Sequence, residues 1–230
     1  MTSRSPIRWG LLGTGNITRK LLAGARLSDE VEVTAVGSRT PDRAREFAAA
    51  NHIPRAHGSY EELLADPGVD AVYISLPNSL HHEWTMASLA AGKHVLCEKP
   101  YSRHPDQVEA AFDAADAAGL VLEEAFMWRH TPQVRRLLEL LPTLGSVRVV
   151  RSTFGFLLER PYDVRIDALL DGGSLMDVGC YCVSASRLIG GEPLRVAGEQ
   201  VMGPSGVEVR FGGLMRFADD TLATFSSGFD

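Results

Sequence analysis

Cysteine is scarce in this sequence, and no apolar run is long enough to cross a membrane. The 230 residues include three cysteines, too few and odd in number for a disulfide framework. Cys180 and Cys182 lie two positions apart, so we interpret them as core thiols and predict no metal site. No apolar signal-peptide core follows Met1. We therefore expect a protein of the reducing cytoplasm that contacts no membrane.

An excess of positive charge is also missing. The chain has 23 lysines and arginines against 29 aspartates and glutamates, with the two signs interspersed and a net charge of −6. Proteins that bind nucleic acid or anionic lipid concentrate positive charge on one surface. We therefore expect neither partner. The length and an apolar content of 45% suit a globular protein of two small domains.

Strand-like and helix-like segments alternate through the first half of the chain. This alternation with short links is typical of a doubly wound parallel sheet, and we assign it to a first domain over residues 1–125. The predicted strands cover residues 7–12, 31–37, 71–76, 94–98 and 120–124. The predicted helices cover residues 17–25, 41–50, 60–65, 79–91 and 105–118.

The pattern changes after about Gly145. Strands are predicted at 146–158, 194–202, 207–217 and 221–229, with one helix at 174–189. This half is predicted to be an α+β domain, residues 126–230, with a largely antiparallel open sheet. The sequence stops directly after strand-like residues, so we expect the second sheet to be incomplete.

A glycine turn joins the first predicted strand to the first predicted helix. Glycines there let the backbone approach a pyrophosphate, while the helix N-terminus contributes partial positive charge. Thr18 occupies the third glycine position of the dinucleotide fingerprint, and the alternative is a simple tight turn. The residues predicted to contact the cofactor are Gly13, Thr14, Gly15, Asn16 and Ile17.

The second strand ends without the acidic residue that usually binds the ribose of NAD. Ser38 and Arg39 stand at this tip, and Arg43 follows one turn later. Arginine matches phosphate geometry with several donors, so these residues predict a 2′-phosphate contact. The alternative is that Arg39 is a solvated loop cation. We favour NADP over NAD as the cofactor.

Two further strand tips carry candidate site residues. Leu76-Pro77-Asn78 and His81 follow the third long strand and are predicted to contact the nicotinamide half of the cofactor. Lys99 follows an apolar strand and precedes a proline, in the motif Glu98-Lys99-Pro100. In open α/β sheets this edge is where ligands bind. We predict cofactor contacts from Glu98 and Lys99 as well.

A second group of candidate site residues lies within positions 171–181. Glycines precede a predicted helix, Ser174 is its predicted N-cap, and Asp177 and Tyr181 are spaced i, i+4 on one face. Taken alone, Asp177 could interact with the positive end of the helix dipole, and Tyr181 could be a half-buried packing residue. Together with Lys99 the set makes chemical sense, because a nearby ammonium favours the phenolate form of a tyrosine.

These motifs resemble the glucose–fructose oxidoreductase, inositol dehydrogenase and MocA (Gfo/Idh/MocA) family along essentially the whole chain. The resemblance implies that residues 1–125 form an NAD(P)-binding Rossmann domain. It implies hydride transfer between NAD(P) and a sugar, polyol or related carbonyl compound. It also implies an open sheet in the second domain that often mediates homo-oligomers. The family's catalytic lysine falls on Lys99, its aspartate on Asp177 and its acid/base position on Tyr181.

Tyrosine at position 181 makes the chain more similar to the dimeric dihydrodiol dehydrogenase and aldose 1-dehydrogenase branch. Residues 124–129 also resemble a segment of that branch. This resemblance implies that Trp128 and Arg129 approach the cofactor and the substrate. We therefore expect an NADP-dependent dehydrogenase of sugar-like alcohols. The alternatives are a trans-dihydrodiol dehydrogenase and a non-catalytic NADP(H)-binding module. The first is permitted, though not required, by the aromatic residues Phe126, Trp128, Phe154 and Phe156.

Overall fold

The structure, a computed structural model, describes residues 5–160 and 162–230. The chain divides into two compact units, the first ending at Ala125 and the second beginning at Phe126.

The first unit is built on a six-stranded parallel sheet. Its strand order is β3-β2-β1-β4-β5-β6, which is the doubly wound topology predicted from the alternating pattern. The strands are β1 (Ile7–Leu12), β2 (Val31–Gly37), β3 (Arg55–His57), β4 (Ala71–Ile74), β5 (His94–Cys97) and β6 (Leu122–Glu124).

Helices cover both faces of this sheet, because successive strand residues point to opposite sides. Leu11 and Tyr73 pack on one face with α1 and α2, whereas Leu12 and Ile74 pack on the other with α3, α4 and α5. The helices are α1 (Asn16–Ala25), α2 (Pro41–Asn51), α3 (Tyr60–Leu64), α4 (His81–Ala90) and α5 (Pro105–Ala118).

The second unit has a mixed four-stranded sheet in the order β7-β10-β9-β8. β10 pairs in parallel with β7 and antiparallel with β9, and β8 pairs antiparallel with β9. One sheet face buries Met215, Ala223 and Phe225 together with Cys182 of α7. The elements are α6 (Pro132–Leu140), β7 (Val149–Gly155), α7 (Cys180–Gly190), β8 (Arg195–Met202), β9 (Glu208–Arg216) and β10 (Leu222–Gly228).

Several boundaries differ from the prediction. β3 was not predicted, because three residues are too few to show a periodic pattern. α6 was also missed, although Thr131 accepts a hydrogen bond from the Val134 N–H and Pro132 follows it, which is a usual helix start. The strand predicted at 146–158 is shorter, at Val149–Gly155, and the helix predicted from residue 79 begins with a 3₁₀ turn, Asn78–Leu80.

The register of the first sheet brings its functional tips to one edge. Ile74 pairs with both Leu12 and Cys97, and Leu12 also pairs with Gly37. The residues that follow these strands therefore lie along the carboxyl edge, and the strand order reverses between β1 and β4 there. Within the described residues, no helix combines the length and apolarity that crossing a membrane requires.

An ion pair at the opposite end of the sheet should make stability depend on acid. Arg8 donates from Nε to Asp70 Oδ2 at 2.8 Å, and it lowers the pKa of Asp70 from 3.8 to about 2. The pair therefore stabilises the fold above pH 3.8 and stops doing so as the pH falls towards about 2. Because both side chains are about 40% exposed, we expect Asp70→Asn to lower the free energy of unfolding by about 1 kcal/mol or less at neutral pH.

Urea titrations of the wild type and of Asp70→Asn at neutral pH and near pH 2 measure this contribution. The difference between the two proteins should disappear at the acidic pH, and a difference that grows in acid would contradict the account. Asp42→Asn, which breaks an exposed pair with Arg45, is the matched control.

Candidate functional site

The glycine turn after β1 has the conformation that close approach to a ligand requires. Gly13 has a φ of +105°, and a Cβ there would lie 3.0 Å from Ser75 Oγ and 3.1 Å from a Leu76 methyl group. Gly15 is the N-cap of α1 and offers no side-chain cap, so no side chain satisfies the backbone N–H groups at this helix start. A phosphate can accept from these N–H groups.

Thr18, the departure from the glycine fingerprint, is fully buried. Its Oγ1 lies 2.7 Å from Ser75 Oγ, and its backbone N–H donates to Gly15 O. The threonine thus ties α1 to the end of β4 at the position where the fingerprint has a glycine for close packing. Gly15 and Asn16 at the start of α1 are exposed, so a ligand can reach this helix N-terminus.

The end of β2 carries two arginines that the described residues leave unpaired. Arg39 and Arg43 are exposed and make no salt bridge there, whereas Ser38 is buried and donates its N–H to His57 O. Burial raises the pKa of the nearby Tyr60 phenol, and the charges of Arg39 and Arg43 partly oppose this rise. Both guanidinium groups are therefore close enough to the Tyr60 phenol to act on it electrostatically.

His81 lies buried between the loops that follow β4 and β5. It is 1% exposed, with Nδ1 2.8 Å from Pro100 O and Nε2 2.8 Å from Leu76 O, and burial lowers its pKa. Each ring nitrogen faces a backbone carbonyl, so the ring joins the loop after β4 to the loop after β5. A contact between His81 and the cofactor stays a prediction. Pro77 O accepts from the Leu80 N–H, and Asn78 begins the 3₁₀ turn beside them.

Lys99 is half-buried at the end of β5, on a loop held at several points. The Glu98 carboxylate accepts from the phenol of Tyr73 at 2.5 Å and from the Lys99 N–H at 3.3 Å, and the Tyr101 N–H donates to Glu124 at 2.8 Å. Burial raises the pKa of Glu98. Glu98 is thus a buried support of the lysine loop as well as a predicted cofactor contact.

In the second unit, Asp177 and Tyr181 lie four positions apart on one continuous helical segment. A π-helical turn, Leu175–Gly179, leads into α7, and π turns within helices frequently occur at functional sites. Ser174 lies at the predicted N-cap position, but its side chain makes no capping hydrogen bond, and its hydroxyl lies 3.2 Å from that of Ser227. Glu208 of β9 caps the segment instead, accepting from the Leu175 N–H at 2.7 Å.

Two aromatic rings flank Tyr181. The Phe126 ring stands perpendicular to it at 5.6 Å between centroids, and the tilted Phe154 ring lies at 5.5 Å. These distances suit favourable aromatic pairs. The phenol ring therefore contacts two apolar side chains, one of which comes from β7.

Trp128 and Arg129 lie on a 3₁₀ turn, Met127–His130. The buried Nε1 of Trp128 has no hydrogen-bond partner in the described part of the chain, and a ligand could provide one. Arg129 donates from Nε to Ser184 Oγ at 3.0 Å and from Nη2 to Ser184 O at 3.3 Å. Its guanidinium thus anchors this turn to α7, a role that the sequence did not indicate.

Arg165 was missed by the sequence analysis. Its Nε donates to Asp177 Oδ2 at 2.8 Å, and its Nη1 donates to Asp163 Oδ1 at 3.0 Å. It stands 12 residues before Asp177 in an irregular segment, and no periodicity or spacing links the two. Only the fold shows the contact.

The glycine before the π turn should tolerate no side chain. Gly173 has a φ of +127°, and a Cβ there would overlap the carboxylate of Glu208 that caps Leu175. We expect Gly173→Ala to add the loss of this cap, about 1 kcal/mol, to a backbone strain of about 1–3 kcal/mol. The free energy of unfolding from urea titration measures the sum.

Gly191→Ala is the matched control. Gly191 also has a positive φ, at +79°, but nothing lies within 4 Å of its Cβ position. Its substitution should cause strain alone. Equal losses in the two variants would show that the overlap with Glu208 is unimportant.

Cys182 is buried, as predicted for a core thiol, whereas Cys180 is half-buried. The described residues contain no group of three or more histidine, cysteine, aspartate or glutamate side chains that could hold a metal ion.

Comparisons with known proteins agree with these two units. A family profile described as an oxidoreductase family with an NAD-binding Rossmann fold matches residues 7–126. A second profile, described as the GFO/IDH/MocA C-terminal domain, matches residues 133–230.

Three relatives illustrate the similarity. D-xylose 1-dehydrogenase (NADP⁺) 2 of Haloferax volcanii is 45% identical over 96% of this chain and 69% of its own length. Trans-1,2-dihydrobenzene-1,2-diol dehydrogenase of Xenopus laevis is 32% identical over 96% of this chain and 68% of its own length. The structure of a 3-ketoreductase from Actinomadura kijaniata with NADP and TDP-benzene superposes with a TM-score of 0.90, at 34% identity, over 98% of this chain and 71% of that one.

Proposed function

We propose that this chain, which belongs to the Gfo/Idh/MocA oxidoreductase family, transfers hydride between NADP and the alcohol or carbonyl carbon of a sugar-like substrate. The observation that carries the cofactor choice is the unpaired arginine pair, Arg39 and Arg43, at the end of β2, where no acidic residue stands. The relatives from Haloferax volcanii and Actinomadura kijaniata name NADP in their descriptions, which supports the same choice.

The residues present fit NADP. The N-terminus of α1 would hold the pyrophosphate, the two arginines would hold the 2′-phosphate, and the loops after β4 and β5 would border the nicotinamide. The buried Nε1–H of Trp128, which has no acceptor among the described residues, is a further donor available to a ligand. When bound, NADP supplies the hydride acceptor for oxidation and the hydride donor for reduction.

Tyr181 is the proposed acid/base. In the oxidative direction the alcohol loses its hydroxyl proton to the Tyr181 phenolate and its carbon-bound hydrogen as hydride, and so becomes a carbonyl compound. Lys99 stabilises the alkoxide that develops and favours the phenolate form of Tyr181. Asp177 provides the negative charge that orients the cation. A positioned proton transfer of this kind contributes ~10²–10⁴ in rate.

The substrate class we propose is an aldose or a similar polyol. A specific observation favours a second candidate, a trans-dihydrodiol: Phe126 and Phe154 flank Tyr181 with apolar rings that suit a flat, less polar diol. The relative from Xenopus laevis carries that activity in its name.

We further propose that the protein acts in the cytoplasm as a homo-oligomer. Every residue of β8 is exposed, and Val196, Val201 and Met202 add apolar surface there. Residues 126–230 would then serve as the substrate and oligomerisation domain and residues 1–125 as the cofactor domain. Sedimentation velocity of the purified chain tests the oligomer.

Initial rates of NADP⁺ and NAD⁺ reduction test the function. The panel combines aldoses, inositols and trans-dihydrodiols, each at several concentrations. We expect turnover with NADP⁺ and at least one aldose or diol. Tight NADPH binding with no turnover on any substrate would instead indicate a cofactor-binding module, and the proposal would fail.

A further inference from the structure

We infer that Arg165 is a positioning residue that fixes the carboxylate of Asp177 for the proposed reaction. The inference rests on the proposed function, since it assigns Arg165 a role through a member of the proposed catalytic set. The charged group that carries it consists of Asp163, Arg165 and Asp177, all in the second unit.

Hydrogen bonds from Arg165 link the three side chains. Arg165 uses Nε for Asp177 Oδ2, at 2.8 Å, and Nη1 for both carboxylate oxygens of Asp163, at 3.0 and 3.3 Å. The carboxylates are largely buried, with 9% of the Asp163 and 16% of the Asp177 side chain exposed. The two carboxylates thus share the Arg165 guanidinium, and each limits the positions that this guanidinium can take.

The face of the guanidinium is fixed as well as its edges. Its central carbon lies 5.8 Å from the centroid of the Phe156 ring, at a distance typical of cation–π contacts. Partial burial opposes ionisation of Arg165, but the charges of Asp177 and Asp163 raise its pKa above the ordinary value. The plane and the charge of the group are both determined by its surroundings.

Two glycines let the Arg165 segment lie against the start of the π turn. The Gly173 N–H donates to Arg165 O at 2.8 Å, and the Gly172 N–H donates to Asp167 O at 3.0 Å. A Cβ on Gly172 would lie 2.5 Å from Arg165 O, so any other residue would push the segment away. The glycines before the helix, which the sequence analysis assigned only to the helix start, therefore also place Arg165.

Stability alone does not account for this construction. Arg165 is 41% exposed, and ion pairs in which one partner is this exposed to solvent contribute little to stability. The geometry instead defines the direction of one carboxylate, four residues before Tyr181 on the same helical segment. A planar fork holds a carboxylate in a way that an ammonium cannot reproduce.

The test is a double-mutant cycle on turnover in the full chain, with Arg165→Met, Asp177→Asn and the two combined. We expect Arg165→Met to lower kcat about 10- to 100-fold with little change in KM, because misplacement of a group in the site acts on the chemical step. In the Asp177→Asn background the same change should have almost no further effect. Arg165→Lys should recover only part of kcat. Arg151→Met, on exposed β7, is the control and should match the wild type.

Full kcat in Arg165→Met, or equal losses from Arg165→Met with and without Asp177, would overturn the inference. Thermal unfolding of each variant separates misfolding from misplacement. Crystal structures of the wild type and Arg165→Met give a readout that needs no turnover. One Asp177 rotamer in the wild type and a changed or split rotamer in the variant support the inference even if the panel finds no substrate and the proposed function fails; an unmoved Asp177 contradicts it.

Discussion

Tyr181→Phe should lower kcat for sugar or diol oxidation by ~10²–10⁴, because it removes the proposed proton acceptor while keeping the ring. The ring contacts with Phe126 and Phe154 do not depend on the hydroxyl, so the fold should survive. Lys99→Met should cause a loss of similar size by removing the charge that stabilises the alkoxide. Steady-state kinetics with the substrate found in the panel measure both.

Two variants control for these substitutions. Tyr162→Phe removes the hydroxyl of a tyrosine that is 94% exposed, and Lys20→Met removes a charge from the exposed side of α1. Neither should change kcat. If Lys99→Met and Tyr181→Phe both retained near wild-type turnover, the proposed acid/base mechanism would be wrong.

Replacing both arginines after β2 should abolish the preference for NADP. Each charge-assisted hydrogen bond to a phosphate contributes about 1.5–3 kcal/mol, or roughly 10- to 100-fold in affinity. Arg39→Ala with Arg43→Ala should therefore raise KM for NADP⁺ by at least about tenfold and leave KM for NAD⁺ almost unchanged. Fluorescence titration with NADPH and NADH gives the same comparison without turnover.

Arg45→Ala is the control for the arginine pair. Arg45 lies on α2 like Arg43, but its guanidinium pairs with Asp42. Its removal should affect neither cofactor. An equal loss of NADP⁺ and NAD⁺ affinity in the double variant would mean that the arginines do not read the 2′-phosphate.

The first unit was largely predictable because its structure is local in sequence. Buried strands such as β4 are short apolar runs, and the prolines at the starts of α2 and α5 mark helix N-termini. The glycine turn at Gly13 and the end of β5 could be placed on one sheet edge from the alternating pattern alone. Strand order then follows from the fold class.

The remaining site features depend on contacts between distant residues. The sequence indicates a cofactor contact for His81, but it does not show that Leu76 O and Pro100 O lie beside its two ring nitrogens. Serine is a usual N-cap residue, but at this helix start the Leu175 N–H donates to the carboxylate of Glu208, 34 positions after Ser174. Such tertiary contacts override local preference and leave no spacing to read.

The most direct test of the central claim is the transfer of label from substrate to cofactor. A substrate carrying deuterium at the reacting carbon is incubated with the wild-type chain and NADP⁺, and the NADPH formed is analysed by mass spectrometry. We predict one deuterium per molecule of NADPH, and no detectable labelled NADPH with Tyr181→Phe over the same time. Unlabelled NADPH, or no NADPH from any sugar or diol, would contradict the account.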